Sequence, residues 1–293
     1  MKKIFTLLLS LYATFAFAVE NVTLIIPTGP GGLYHKYAIE LQPILEKILE
    51  KNIVVEFHPG ANGVIAAQLL AANTKPELSL LLTVPQYNFG VDMIRDITPL
   101  LYVGTAPAVI VSRKNLGYNN LKEIVNASKS KPLTFGIVNG AGPVHTIWLT
   151  NFKQLYDVDL IEVQYKTGAA MLADIAGGHL DLGVPSLLGA YPLYESGKID
   201  IIATLSPSRS AMIPNIPTVR EQGIKFNKDM LGYVNLVLWS NNTIDSKTLK
   251  KIQQEYVSFA KSEQGKELFK KIDLRVSVPD IPNPQNLLRL YSK

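Results

Sequence analysis

Three glycine-rich turns are the places in this 293-residue sequence where residue types and spacing could do chemistry. They are Pro27-Thr28-Gly29-Pro30-Gly31-Gly32, Asn139-Gly140-Ala141-Gly142 and Lys166-Thr167-Gly168, and each stands between a β-branched run and a stretch of helical spacing. At such a junction the backbone N–H groups and the positive end of the helix dipole converge on an anion. Glycine permits the left-handed backbone and the close ligand approach this requires. The same residue types also build plain tight turns, so the turns by themselves leave an anion site and a purely structural role both open. The first turn is not a P-loop, because no Gly-Lys-Ser/Thr follows, and it lacks the glycine spacing of a dinucleotide fingerprint. Lys166 reads either as an anion partner or as a solvated surface lysine. His145, just after the second turn, either hydrogen-bonds a ligand or fastens the loop.

Other chemistries find little footing. The four histidines, His35, His58, His145 and His179, form no i,i+3 or i,i+4 pair, so the spacing of a helical metal site is missing. There is no Gly-x-Ser-x-Gly elbow and no His-Glu-x-x-His. The absence of cysteine excludes disulfides, thiolate metal sites, cysteine nucleophiles and a lipoprotein anchor. No window carries a dense Lys/Arg cluster with interleaved aromatics, so nucleic acid is not an expected partner.

The elements that must position these turns follow from periodicity. Residues 22–26, 53–57 and 78–84 read as strands, with helical spacing at Tyr34, Tyr37, Leu41, Ile44 and Ile48 and a small-residue helix over 63–72. Pro43 predicts a kink inside the first helix. A second series runs helix 121–128, strand 133–138, helix 144–156, strand 160–165, helix 169–176, and strands 180–184 and 200–205. The runs 100–111 and 233–239 are candidates for strands passing between the two series. A helix capped by Ser246 and another opened by Ser262 finish the chain. The fold class is therefore α/β, with two α/β lobes around a cleft; the expected division is 19–105 plus 232–293 for lobe 1 and 106–231 for lobe 2.

Taken in order, these turns resemble the receptors of tripartite tricarboxylate transporters, the Bug or TctC-like family. The resemblance rests on IIPTGPGG (25–32), HPGANGVIAAQLLA (58–71), VQYKTGAAMLADIAGGHLDLGV (163–184) and IPNIPTVREQGI (213–224), and covers nearly all of the chain from Val22 onward. It implies a type II periplasmic-binding-protein fold with a hinge and an interlobe ligand cleft, no catalysis and no cofactor. It further implies capture of a small di- or tricarboxylate-like ligand by a monomer that works with inner-membrane transporter subunits. On this resemblance the ligand-binding residues are Thr28, Gly29, Pro30, Gly31 and Gly32 from the first turn, with Thr83. The opposite side is Asn139, Gly140, Gly142 and His145, then Lys166, Thr167 and Gly168, and Ser186. Two departures stand out. Where relatives carry an Asp after the GG-x-x-D strand this sequence has Pro185, so an amino-group partner is missing there. Between Val84 and Asp96 the chain is shorter than usual, which affects how Thr83 and Tyr87 are carried over. A ligand-sensing receptor for a two-component kinase and a secreted enzyme are the competing readings; neighbouring genes separate the first, and product formation the second.

The N-terminus bears on location. Met1-Lys2-Lys3 is a positive n-region, 4–11 an apolar core, and Ala16-Phe17-Ala18 a small-x-small cleavage site, so 1–18 reads as a secretory signal peptide and the periplasm as the destination. Removing Lys2 and Lys3 from the 29 basic residues leaves 27 against 24 acidic, a formal +3 in place of +5. The exported protein is predicted to begin at Val19: intact-mass measurement of the periplasmic fraction should find the chain without residues 1–18, and finding Met1 retained there refutes the assignment.

Overall fold

The structure, a computed structural model, describes residues 21–73, 78–83, 96–138, 143–224, 233–241 and 244–276. The strands form two five-stranded sheets. In the first, β1 (Asn21–Ile26) lies between β2 (Asn52–Phe57) and β3 (Ser79–Thr83), parallel to both. Parallel pairing brings the carboxyl ends of these strands to one edge of the sheet, where Pro27 has no N–H with which to continue the ladder. The chain leaves β1 there and enters α1 (Leu33–Leu49), which buries Tyr34, Tyr37, Ala38, Leu41, Leu45 and Ile48 along one stripe. Pro43 lies within this helix on its exposed side, and Glu50 in the left-handed region ends it. A 3₁₀ turn over Ala61–Gly63 leads into α2 (Val64–Ala72).

The sheet is completed by β10 (Tyr233–Asn241), inserted antiparallel between β3 and β4 (Ile97–Pro107), with two register shifts along the β4 pairing. Only Ala108 separates β4 from β5 (Val109–Arg113), which belongs to the second sheet, so the chain crosses between lobes within one residue. The run 100–111 is thus a crossing segment, as expected. The run 233–239 is a strand of the first sheet.

The second sheet has the order β7 (Leu160–Tyr165), β6 (Leu133–Val138), β8 (Leu182–Gly183), β5, β9 (Ile199–Thr204). Its parallel members, β6, β7 and β8, again point their carboxyl ends the same way. Around it lie α3 (Leu121–Ser128), α4 (Pro143–Tyr156), α5 (Gly168–Ala176) and α6 (Leu187–Glu195). Phe135, Trp148, Phe152 and Tyr156 form a ladder of rings, with Trp148 and Phe152 centroids 4.7 Å apart and nearly parallel, on one face of this sheet. Aromatic pairs of this kind add specific geometry to area burial.

Three expectations need correction. The strand expected over 180–184 is regular only at Leu182–Gly183: the neighbouring bonds, from Arg113 N to Asp181 O and from Val109 N to Pro185 O, continue the alignment, but Pro185 has no donor to extend a ladder. Between the strands expected at 180–184 and 200–205 no element was assigned, and α6 occupies that stretch with Pro192 inside it. Asp245, not Ser246, caps α7 (Ser246–Lys261), its carboxylate accepting from the N–H groups of Lys247 and Thr248. Ser262 opens α8 (Glu263–Lys271) as expected, accepting from Gly265 N–H.

The chain after α8 returns to the crossing point. Thr105 and Arg275 exchange two backbone hydrogen bonds, 2.8 and 2.9 Å, and the Arg275 guanidinium donates to Ser208 Oγ and to the carbonyls of Ser208 and Arg209. Ser210 Oγ donates to Asp273 Oδ2. Gly104 sits beneath this join at φ +148°, and a Cβ there would lie 2.9 Å from Leu274 Cγ and 3.0 Å from the Arg275 carbonyl oxygen, so glycine is required twice over. Among the described residues no helix is long and apolar enough to cross a membrane.

The edge of the second sheet away from the cleft is tied by Asp181. Its carboxylate accepts from Arg113 Nε at 2.8 Å and from Thr134 N and Oγ1, each at 3.0 Å, joining β5, β6 and the start of β8. Burial pushes the carboxyl up, but the Arg113 and Thr134 donors outweigh it and hold it below the ordinary aspartate range. A depressed folded-state value means stability that is present above the unfolded value of about 3.9 and is lost as pH falls through the folded one. Asp181→Ala should therefore lower unfolding free energy by about 2–3 kcal/mol at pH 7, given charge-assisted bonds of about 1.5–3 kcal/mol each. The gap should close in acid, and urea titrations at pH 7 and pH 2.5 measure both.

Candidate functional site

The two sets of strand ends face each other across a cleft that encloses a cavity of about 250 Å³. From the first lobe Thr28, Gly31, Gly32, Leu33, Tyr34 and Lys36 line it, all within the first turn and the start of α1. From the second lobe come Val138, at the end of β6; Gly168, Ala169 and Leu172 of α5; and Pro185, Ser186, Gly189, Pro192 and Leu193 around α6. The lobes approach closely here. A Cβ on Gly29 would lie 3.1 Å from Thr167 Cγ2, and one on Gly31 would lie 3.7 Å from Ala169 Cβ.

The donors of the first turn are arranged unequally. Gly31 adopts φ +78° and its N–H donates to His35 Nδ1 at 2.8 Å. The imidazole is held edge-on against Phe57 with ring centroids 4.9 Å apart. Gly32 N–H makes a long 3.3 Å bond to Gly29 O. Gly32 is the N-cap of α1 in extended conformation and no side chain caps the helix, which leaves first-turn N–H groups at the cavity without helical partners. Thr28 is 4% exposed and its Oγ1 has no partner among the described residues; a Cβ on Gly32 would come within 2.9 Å of that oxygen. By contrast, the second-lobe helices at the cavity are capped: Thr167 Oγ1 accepts from Ala170 N–H at 3.1 Å and Ser186 Oγ from Gly189 N–H at 3.2 Å.

Among the described residues no acidic side chain lines the cavity, and Lys36 is its charged member. Lys36 is half-buried, and burial pulls its ammonium below the ordinary lysine range. The opposite wall, with Leu172, Pro185, Pro192 and Leu193, is apolar. This arrangement suits an anionic group near the α1 terminus and a short hydrocarbon body against the second lobe.

Of the residues expected at the site, Thr28, Gly31, Gly32, Gly168 and Ser186 meet at the cavity, with Gly29 and Thr167 packed against each other beside it. Pro30 and Lys166 are exposed and outside the lining. Thr83 is fully buried at the end of β3, its hydroxyl also without a partner among the described residues, but it does not reach the cavity wall. Asn139, Gly140, Gly142 and Tyr87 lie outside the described residues, as does the side chain of His145 within α4. Asp174 and Asp181 serve structure: Asp174 accepts from Tyr165 OH at 2.7 Å, and Asp181 holds the far edge of the sheet. Lys36 and the α6 residues were missed. Lys36 stands four positions after Gly32, next to the buried Tyr37, a place where a charged residue within one turn of a candidate anion site was the available signal.

The family model described as "Tripartite tricarboxylate transporter family receptor" matches residues 38–292. Among curated relatives, a UPF0065 protein of Bordetella bronchiseptica is 26% identical over 210 residues, which are 68% of this chain but only 62% of that protein's length. Protein BugT of Bordetella pertussis is 26% identical over 218 residues, 71% of this chain and 67% of that protein. Solved structures of the same shape include R. palustris Rpa4515 with adipate (TM-score 0.80, 20% identity, 94% of this chain and 96% of that one) and MatC from Rhodopseudomonas palustris with bound malate (0.80, 19%, 94% and 96%). The periplasmic binding protein BugD is similar to the same degree (0.80, 21%, 93% of each chain). At these identities the structural likeness establishes the two-lobed periplasmic-binding fold and nothing of the ligand. The family match, running through both lobes, establishes membership: the chain belongs to the TctC family of tripartite tricarboxylate transporter receptors.

Proposed function

We propose that this protein is a periplasmic receptor that captures a small carboxylate between its lobes and delivers it to the inner-membrane subunits of a tripartite tricarboxylate transporter. One observation carries the reading: the interlobe cavity joins a helix N-terminus with no side-chain cap, a buried Thr28 hydroxyl without a partner among the described residues, and Lys36, with no acidic side chain among the described residues that line it. Such a site favours negative charge. The adipate and malate of the two Rhodopseudomonas structures support the same ligand class.

In this reading the chain is exported, starts at Val19 and acts as a monomer by closure of 19–105 plus 232–293 on 106–231. The Thr28 hydroxyl and the N–H groups at the start of α1 hold a carboxylate, Gly31 and Gly32 shape the turn and leave it room, and Gly168 and Ser186 close over it, with Gly29 and Thr167 setting the approach of the lobes. The protein is a binder, and its cleft holds a ligand without transforming it.

The glycine at the N-cap offers a direct test. In Gly32→Val the side chain meets the Thr28 hydroxyl and fills the place of the anion, and charge-assisted hydrogen bonds are worth about 1.5–3 kcal/mol each. Binding of a carboxylate measured by calorimetry should weaken roughly ten- to hundredfold, and because the same contacts crowd the turn the melting temperature of the free protein is measured beside it to establish that the variant is folded. Unchanged affinity in a folded variant removes the first turn from the site.

A second test follows from Pro185, which lines the cavity at the position where the family resemblance implies an Asp. An ammonium group buried there without an acceptor costs several kcal/mol. Dicarboxylates should therefore bind at least tenfold more tightly than free aspartate or glutamate in the same calorimeter. Tight binding of the amino acids alone overturns this part of the reading.

A further inference from the structure

Within the cavity the anion-binding groups fall at two separate places. One is the start of α1 with the Thr28 hydroxyl. The other is Lys36, one helical turn further on, with its Cα about 6 Å from that of Gly32 along the helix axis at about 1.5 Å per residue. Side chains on a helix lean toward its N-terminus, so the Lys36 stem is directed back toward the first turn, and the residue lines the cavity. Among the described residues this ammonium makes no hydrogen bond and no ion pair, and the residue is half-buried. Elsewhere the side chains of Leu172, Pro192 and Leu193 offer no donor, while Ser186 Oγ accepts from Gly189 N–H and keeps its own proton, so Lys36 is the charged donor among the described lining residues.

We infer that Lys36 is a specificity-determining residue that pairs with the second carboxylate of a short dicarboxylate whose first carboxylate sits at the start of α1. The inference rests on the function proposed above and narrows it. A monocarboxylate leaves the ammonium half-desolvated without a counter-charge. A tricarboxylate brings a third charge to a wall that includes Leu172, Pro192 and Leu193, where no second cationic side chain stands among the described lining residues. The volume of about 250 Å³ lies just under the range of about 300–1,000 Å³ usual for small-molecule pockets, which limits the hydrocarbon body to a few carbons. The depressed ammonium is the complement of such a ligand, since a carboxylate beside it restores the charged form that burial disfavours.

Calorimetry on the full mature protein decides the point with chain-matched pairs, succinate against butyrate and adipate against hexanoate, together with tricarballylate, in the wild type, Lys36→Met and Lys36→Arg. The wild type should prefer the better-fitting dicarboxylate over its monocarboxylate by at least tenfold, and bind tricarballylate more weakly than that dicarboxylate. In Lys36→Met the dicarboxylate should lose at least tenfold while the monocarboxylate stays within about twofold, so that the preference collapses; Lys36→Arg should keep part of it. An unchanged preference in Lys36→Met overturns the assignment, and so does an equal loss for both members of a pair, which would mean that Lys36 shares the first carboxylate. Failure of the wild type to bind any of these acids overturns the proposed function itself, and is told apart from the other outcomes because it precedes any substitution.

Discussion

A helix that begins at the floor of an interlobe cavity with no side chain to cap it leaves polar N–H groups facing a space bounded largely by apolar walls. Helix ends of that kind are normally satisfied by a side chain, by water or by a ligand. In α1 the requirement is sharpened by Thr28, whose hydroxyl is buried beside the same turn without a partner among the described residues. The rest of the first lobe is arranged to keep these groups there. Strand β1 is held on both sides by parallel neighbours and stops at Pro27, Gly31 turns through the left-handed region, and Tyr34 and Tyr37 anchor α1 in the core. The turn is therefore presented on a rigid base, as a binding site with fixed donors needs to be. His35 adds a constraint of its own, since by accepting the Gly31 N–H it withdraws one donor from the cavity and fixes the backbone of the turn.

The lobes that bound that floor are joined in more than one place. The chain passes from one sheet to the other at Ala108, and the segment around Ser208–Ser210 is fastened to Thr105, Asp273 and Arg275 by backbone and side-chain bonds. On the cleft side the lobes meet through α1 and α6, with Leu188 of α6 packed against the first-lobe core. The second lobe thus brings an apolar surface to a polar floor, and the difference between the two walls orients whatever lies between them.

Charge then narrows the ligand. The cavity lining combines one lysine with no acid among the described residues, while the two aspartates nearest in sequence, Asp174 and Asp181, are engaged by Tyr165 and by Arg113 with Thr134. Pro185 contributes neither charge nor N–H, and its carbonyl is taken by Val109. An anion gains from this environment, whereas a cationic group finds no acceptor side chain in it.

Much of this was legible in the amino-acid order. The α/β alternation, most strands and helices, the Pro27–Gly32 turn and the likeness to tripartite transporter receptors follow from local signals: β-branched runs, helical spacing and glycines where a left-handed backbone is needed. Asp174 and Asp181 stay out of the site because a helix and a strand already explain them. What local pattern could not decide were matters of long-range placement. Helix α6 carries Pro192, which weakens a helical reading and is tolerated because α6 packs against α1 and the second core. Lys166 sits in a candidate anion-binding turn, yet folding turns it outward, while Lys36, an ordinary helical lysine by sequence, lines the cavity. Whether a lysine faces water or a cleft depends on which elements are laid against it from more than a hundred residues away, and that information exists only once both sheets have formed and the lobes have met.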